Sequence, residues 1–260
     1  MRQKSFFYLL EQRRDLLSLL IARDFRSRYK QARLGMLWAV VSPLLFLGVF
    51  YVLFGYFLDL GIPNYASFVF TGIIVWNWTQ SALLSAAVSM SSNPSLVMQP
   101  GFPLSVLPIV SVGAALLNLL IAFPLLVGFA FLEGATPGLT YLALPVVLLV
   151  QFFFSLGLCY FIAALNVAYR DIEQILPVIL QLGYYATPIF YSRDILPASA
   201  RPVFDLNPLA GLIGAYRNIV LEDAWPDWIM LAAIAGVALL LTTFGKAVFE
   251  SSRQSMLEKL

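Results

Sequence analysis

VLPIVSVGAALLNLLIAFPLLVGFAFL, residues 106–132, decides the fold class. The run holds 27 residues and not one charged side chain. A helix of this length reaches about 40 Å at 1.5 Å per residue. The hydrocarbon core of a bilayer is about 30 Å thick and needs about 20 apolar residues to cross it. Working outward, comparable runs cover 139–165 on one side and 66–90 and 34–58 on the other, then 175–191 and 228–249 towards the end. Pro43 falls inside the run 34–58, which a membrane helix accepts as a kink. The whole chain of 260 residues is 60% hydrophobic and 12% charged, against roughly 25% charged in a soluble domain. Six runs and their connections use most of the length, so a large soluble domain is excluded. The expectation is an all-α integral membrane protein with six transmembrane helices in one domain, 1–260.

The first 33 residues differ from the rest. They hold nine Lys/Arg against Glu11, Asp15 and Asp24. Phe6, Leu9, Leu10, Leu17, Leu20 and Ile21 fall on one side of a helix, interrupted by Arg13 and Asp24. That pattern predicts an amphipathic helix at the membrane surface. The segment lacks the short apolar core and small-residue cleavage site of a signal peptide. With the N-terminus inside, the inner pieces carry thirteen Lys/Arg and the outer pieces three, Arg193, Arg201 and Arg217. This bias predicts both termini in the cytoplasm of a multi-pass membrane protein.

The connections carry the remaining signals. Residues 91–105, SSNPSLVMQPGFPLS, form a loop rich in Pro, Gly and Ser. Residues 192–226 are broken by Pro197, Pro202, Pro208 and Pro226 and are predicted to make short re-entrant helices capping an exit. Trp76 and Trp78 read as interface anchors. Phe152, Phe153, Tyr184 and Tyr185 read either as packing or as the wall of a conduit. Sugar rings offer apolar faces to aromatics, and tyrosine hydroxyls supply hydrogen bonds.

Several chemistries are excluded by pattern. The chain has no histidine and one cysteine, Cys159, so the commonest metal ligand and general base is missing and no intrachain disulfide forms. There is no Walker A loop, so the chain does not bind ATP by itself in the usual way. No metal site and no nucleic-acid partner is expected. No charged residue falls deep within a predicted run, which argues against ion coupling.

Four blocks resemble the type-2 ABC transporter permeases that export lipid-linked polysaccharides such as O-antigen, capsule and teichoic acid. The first is LLIARDFRSRYKQARLGMLWAVVSPLL, residues 19–45. The second runs from Asn93 through Phe102-Pro103 to Leu107-Pro108. The third is Leu165-Asn166-Val167 with Tyr169-Arg170-Asp171 and Pro177. The fourth is Thr187-Pro188-Ile189-Phe190-Tyr191, then Asn207-Pro208-Leu209 and Tyr216-Arg217.

The resemblance implies a homodimer paired with two copies of a separate ABC ATPase subunit. That subunit would bind ATP and Mg; no cofactor belongs to this chain. It implies docking of the ATPase by Asn93, Pro94, Leu96, Val97, Phe102 and Pro103 in a coupling loop. Gate residues would be Pro188, Tyr191, Asn207, Pro208 and Arg217, on the periplasmic side. The cargo would be an O-antigen-like polysaccharide on undecaprenyl diphosphate, moved across the inner membrane in lipopolysaccharide biosynthesis or a related pathway. Arg23, Arg26, Arg28 and Arg33 sit where a lipid diphosphate would arrive. Their other role is to set topology against anionic lipid. Family members often carry Lys or Arg in the coupling loop, whereas PSLVMQPG, residues 94–101, has none. The alternative functions are a type-2 exporter of a small molecule, or a lipid scramblase or membrane scaffold working without ATP.

Overall fold

The computed structural model describes residues 6–30, 32–58, 60–199 and 201–252, with side chains from Asp15 onward except Val203. The described residues form helices and turns, with no strand among them. Ten α-helices follow one another: α1 Phe6–Tyr29, α2 Trp38–Phe50, α3 Tyr65–Val88, α4 Pro94–Val97, α5 Val106–Leu132, α6 Leu144–Ala168, α7 Ile172–Ala186, α8 Arg201–Asp205, α9 Pro208–Leu221 and α10 Trp228–Ser251. A 3-10 turn, Gly35–Leu37, leads into α2, and another, Leu139–Ala143, leads into α6. A π-helical segment, Tyr51–Phe57, continues α2.

Among the described residues, four helical stretches are long and apolar enough to cross a membrane: Gly35–Phe57, Val106–Leu132, Leu139–Ala168 and Trp228–Ser251. The other two expected runs turn out differently. Residues 66–90 become α3, the centre of the bundle, where Val69 through Trp76 are all buried. α3 carries Thr71, Asn77, Thr79 and Gln80 and is shielded by its neighbours, so it does not need a uniformly apolar surface. Residues 175–191 become α7, whose 15 residues reach only about 22 Å. Pro188 ends it by forcing Thr187 to extended backbone, ψ 139°. The run of Ile189, Phe190 and Tyr191 is apolar but not helical.

α3 and α6 share a buried polar seam. Gln151 Nε2 donates to the Val75 carbonyl at 2.9 Å, and the Thr79 and Ser155 hydroxyls meet at 3.0 Å. α10 lies against α6 at backbone distance. A Cβ on Gly157 would stand 2.6 Å from the Leu241 carbonyl carbon, and one on Gly245 would stand 2.6 Å from the Gly157 oxygen. Only glycine permits that approach, as at small-residue crossings in membrane bundles.

α1 packs through Leu20 and Phe25, both buried, and Ile21 covers Gly113 of α5. The Leu17, Leu20 and Ile21 stripe is therefore covered by protein, not offered whole to lipid. The side chains of Phe6, Leu9, Leu10 and Arg13 lie outside the described residues, as does the tail 253–260. Trp76 and Trp78 are not interface anchors: both are buried, with indole N–H groups donating to Gln80 Oε1 at 3.0 Å and the Val112 carbonyl at 3.1 Å.

Candidate functional site

The loops fall at two ends. One end gathers the close of α1, residues 89–105 and the turn between α6 and α7. Arg23 binds Asn93 there, and Met90, Ser91, Asn166 and Arg170 border one recess. The opposite end gathers residues 60–64, 133–140, 187–199, 201–207 and 222–227. Glu133 Oε2 accepts from Ser67 N at 3.2 Å, and Thr140 donates to Asp223 at 2.7 Å.

At the α1 end, Asn93 stops α3 and starts α4. Its Nδ2 donates to the Ser89 carbonyl at 2.9 Å, and its Oδ1 accepts from Arg23. Pro94 occupies the first helical turn, where a missing N–H does no harm. Gly101 supplies the left-handed backbone, φ 82°, that folds the loop back. Val97 and Phe102 are buried and peg the loop to the bundle. Leu96 is half-buried, while Pro94, Met98 and Pro103 are exposed. The six residues expected to dock a partner thus divide into pegs and a presented tip. Met98, 64% exposed, joins the tip; its place beside Gly101 was the signal for it.

The four arginines also divide. Arg23 is tied to Asn93, and Arg28 is tied to Asp24 one turn before it, through Nε at 3.1 Å and Nη2 at 2.9 Å. Arg26 and Arg33 are exposed and make no ion pair among the described residues.

At the opposite end, the expected gate residues converge. Arg217 on α9 is buried. It donates to the Phe68 carbonyl at 3.2 and 3.0 Å, to Pro188 at 2.9 Å and to Ile189 at 2.7 Å. Its guanidinium also stands 3.4 Å above the Phe68 ring. The connector after α7 has no helical donors for its carbonyls, and buried carbonyls need them. Arg217 provides them. Gly72 lets the connector lie directly on α3, since a Cβ there would be 3.0 Å from Ile189 Cα. Asn207 caps α9 through Leu209 N at 3.0 Å and reaches Thr187 Oγ1 at 2.9 Å, with Pro208 in the first turn. Tyr191 donates to the Tyr185 carbonyl at 3.1 Å. Outside, Arg193 and Asp205 join two ends of this segment in a forked pair at 2.5 Å. Among the described residues, 192–226 holds a 3-10 turn, Arg193–Ile195, the single turn α8 and the largely buried α9.

An aromatic band joins α2 and α7 to the connector at this second end. Phe190 stacks on Phe50 at 5.0 Å and Phe54 at 5.3 Å. Tyr184 meets Phe50 at 6.0 Å and Trp76 at 5.9 Å, and Tyr185 meets Phe190 at 6.1 Å. Tyr191 carries the band to Phe204 at 6.0 Å. Tyr51, Tyr56 and Tyr185 present exposed rings on the neighbouring surface. Phe152 and Phe153 stand apart: they touch one another at 5.7 Å on α6, where the Phe153 carbonyl accepts from Thr242 of α10 at 2.7 Å. Of the four conduit candidates the structure assembles Tyr184 and Tyr185 only. Phe190 stood in the fourth block but not among the conduit candidates, and Phe50 and Phe54 in neither; the four-residue spacing of Phe50 and Phe54, which puts both rings on one helix face, was the available signal.

These features set a pegged loop at one end of the helical bundle against an arginine-held connector and its aromatic cluster at the other. Residues 15–221 match the ABC-2 type transporter family, and the chain belongs to that family. It is 34% identical over 253 residues to the O-antigen export system permease protein RfbA of Myxococcus xanthus, covering 96% of this chain and 97% of that one. It is 31% identical to the protein of the same name from Klebsiella pneumoniae, covering 95% of each. The polysialic acid transport protein KpsM of Escherichia coli is 22% identical over 92% of this chain and 93% of its own. The chain is accordingly a permease-type transporter subunit and not an enzyme.

Proposed function

We propose that this chain is the transmembrane subunit of an ATP-driven exporter that moves an undecaprenyl-diphosphate-linked, O-antigen-like polysaccharide across the bacterial inner membrane. In this reading two copies pair with two copies of an ABC ATPase, which binds ATP and Mg. The α1 end, with its excess of basic side chains, faces the cytoplasm. The tip of 91–105 receives motion from the ATPase, and Arg26 and Arg33 meet the lipid diphosphate. α3 and α7 complete six crossings within the assembled pair, and the Arg217-held connector closes the periplasmic side.

The aromatic band carries the reading. A sliding glycan needs surfaces that bind each unit weakly and alike, and aromatic faces with phenol hydroxyls do so without charge. The near full-length similarity to O-antigen export permeases supports it. In a strain lacking the chromosomal copy, the wild-type chain restores surface polysaccharide. Phe190→Ala with Tyr185→Ala is expected to restore at least tenfold less while the protein still inserts and retains its ATPase. Undiminished surface polysaccharide in that double variant overturns the conduit role of the band.

A further inference from the structure

Four helices meet around a cavity of about 190 Å³ near the end of α1. Tyr29 closes it from α1, Trp38 and Ser42 from α2, Asn77 and Ser81 from α3, and Asn118 from α5. Trp38 and Ser42, and likewise Asn77 and Ser81, are four residues apart, so each pair shares one helix face. Pro43, also on the wall, has no N–H, so the Ala39 carbonyl beside it loses its helical donor.

The polar groups here are largely unmet. Asn118 Oδ1 accepts from the Tyr29 hydroxyl at 2.9 Å, but its Nδ2 has no acceptor among the described residues. Ser42, Asn77 and Ser81 make no side-chain hydrogen bond among the described residues. Their side chains face the cavity and are half-buried. Asn77 lies about 18 Å along α3 from its first residue, and Asn118 about 18 Å along α5 from its first residue. Both depths fall inside a hydrocarbon core of about 30 Å. Half-buried amides and hydroxyls at such depth, open to the cavity, are able to take a polar ligand.

The wall selects its occupant by chemistry. No charged residue lines the cavity, so a phosphate has no counter-ion there. The volume equals that of about six waters, close to one pyranose ring. Trp38, 39% exposed, and Phe46 add aromatic faces beside the amides. Aromatic faces suit the C–H side of a sugar, and the amides and hydroxyls suit its edge. We propose that this cavity binds one uncharged sugar ring of a membrane-borne glycolipid, apart from the aromatic band. The proposal deepens the glycan-export reading and rests on it.

The test uses the full chain with its ATPase in nanodiscs of phosphatidylethanolamine and phosphatidylglycerol. The probe is octyl β-N-acetylglucosaminide, with octyl glycerol as the matched non-sugar, and bound probe is counted by native mass spectrometry. Saturable binding of the sugar probe is expected, at least tenfold tighter than octyl glycerol. Asn77→Leu with Ser81→Ala should weaken it at least tenfold, as should Ser42→Phe, which fills the cavity from the other wall. Retained ATPase assembly shows that each variant is folded. Equal binding of octyl glycerol makes this an ordinary lipid site, and no saturable probe binding makes it a water pocket; either overturns the proposal. So does unchanged sugar binding in both variants. If the wild type restores surface polysaccharide but binds no probe, the site falls and the export reading stands. If the wild type restores no polysaccharide, the export reading itself falls.

Discussion

The loop 91–105 and the connector 187–207 are both rich in proline, and both interrupt long apolar helices, yet they are secured in opposite ways. The loop is pegged by two apolar side chains, Val97 and Phe102, and by an exposed Arg23–Asn93 bond, with its tip left open. The connector is drawn inward by a buried guanidinium that reaches three carbonyls, and little of its backbone between Thr187 and Ile189 meets solvent. In the proposed function the open tip engages the ATPase and keeps its unsatisfied groups outside, while the connector seals the far side and has its backbone partners supplied from within.

Removing the seal should have the largest effect. Arg217→Ala leaves the Pro188 and Ile189 carbonyls without donors, at about 1–3 kcal/mol each, and opens space beside Phe68. The expected outcome is loss of export with a clear fall in thermal stability, read by fluorescence melting in detergent. Arg217→Lys should recover little, because an ammonium cannot span three carbonyls as a planar fork does. Full stability in the alanine variant would remove the contrast between the two segments.

The loop should separate pegs from tip. Val97→Asp buries a charge among apolar neighbours and should lower the yield of folded protein. Met98→Asp should leave folding intact and reduce retained ATPase about tenfold in co-purification. Equal behaviour of the two variants would mean that peg and tip are not distinct.

The smallest effect is expected at the Arg193–Asp205 pair. It is exposed, and such pairs contribute little. The hydrogen bond from Arg193 and its charge hold the Asp205 carboxyl below the usual range. Its contribution is therefore full at neutral pH and is lost as pH falls through that lowered value. Hydrogen exchange of residues 193–205 should quicken only in strong acid, and Asp205→Asn should remove the pH response.

Legibility in the sequence followed the physics of each element. Val106–Leu132 was readable to the residue because lipid selects an unbroken apolar run. α3 was placed within two residues at each end, yet its Trp76 and Trp78 were assigned to the interface when partners on α3 and α5 bury them. Hydropathy carried the fifth run through Ile189, Phe190 and Tyr191, since it cannot see that Pro188 has already ended the helix. Arg217 looked like an outer-loop charge; only the fold shows the carbonyls it serves. The aromatic band joins residues from 50 to 204, a separation that no local pattern reveals.

The glycine contact between α6 and α10 has a mechanical consequence. Two rods touching backbone to backbone through Gly157 and Gly245 cannot slide or rotate past one another without collision. They behave as a stiff plank. Any working stroke of the proposed exporter would then have to bend elsewhere, as at α2, with its proline and π-helical turns, or at α7, where Ile175, Val178, Ile179 and Leu182 are exposed. Gripping happens on one side of the molecule and yielding on the other.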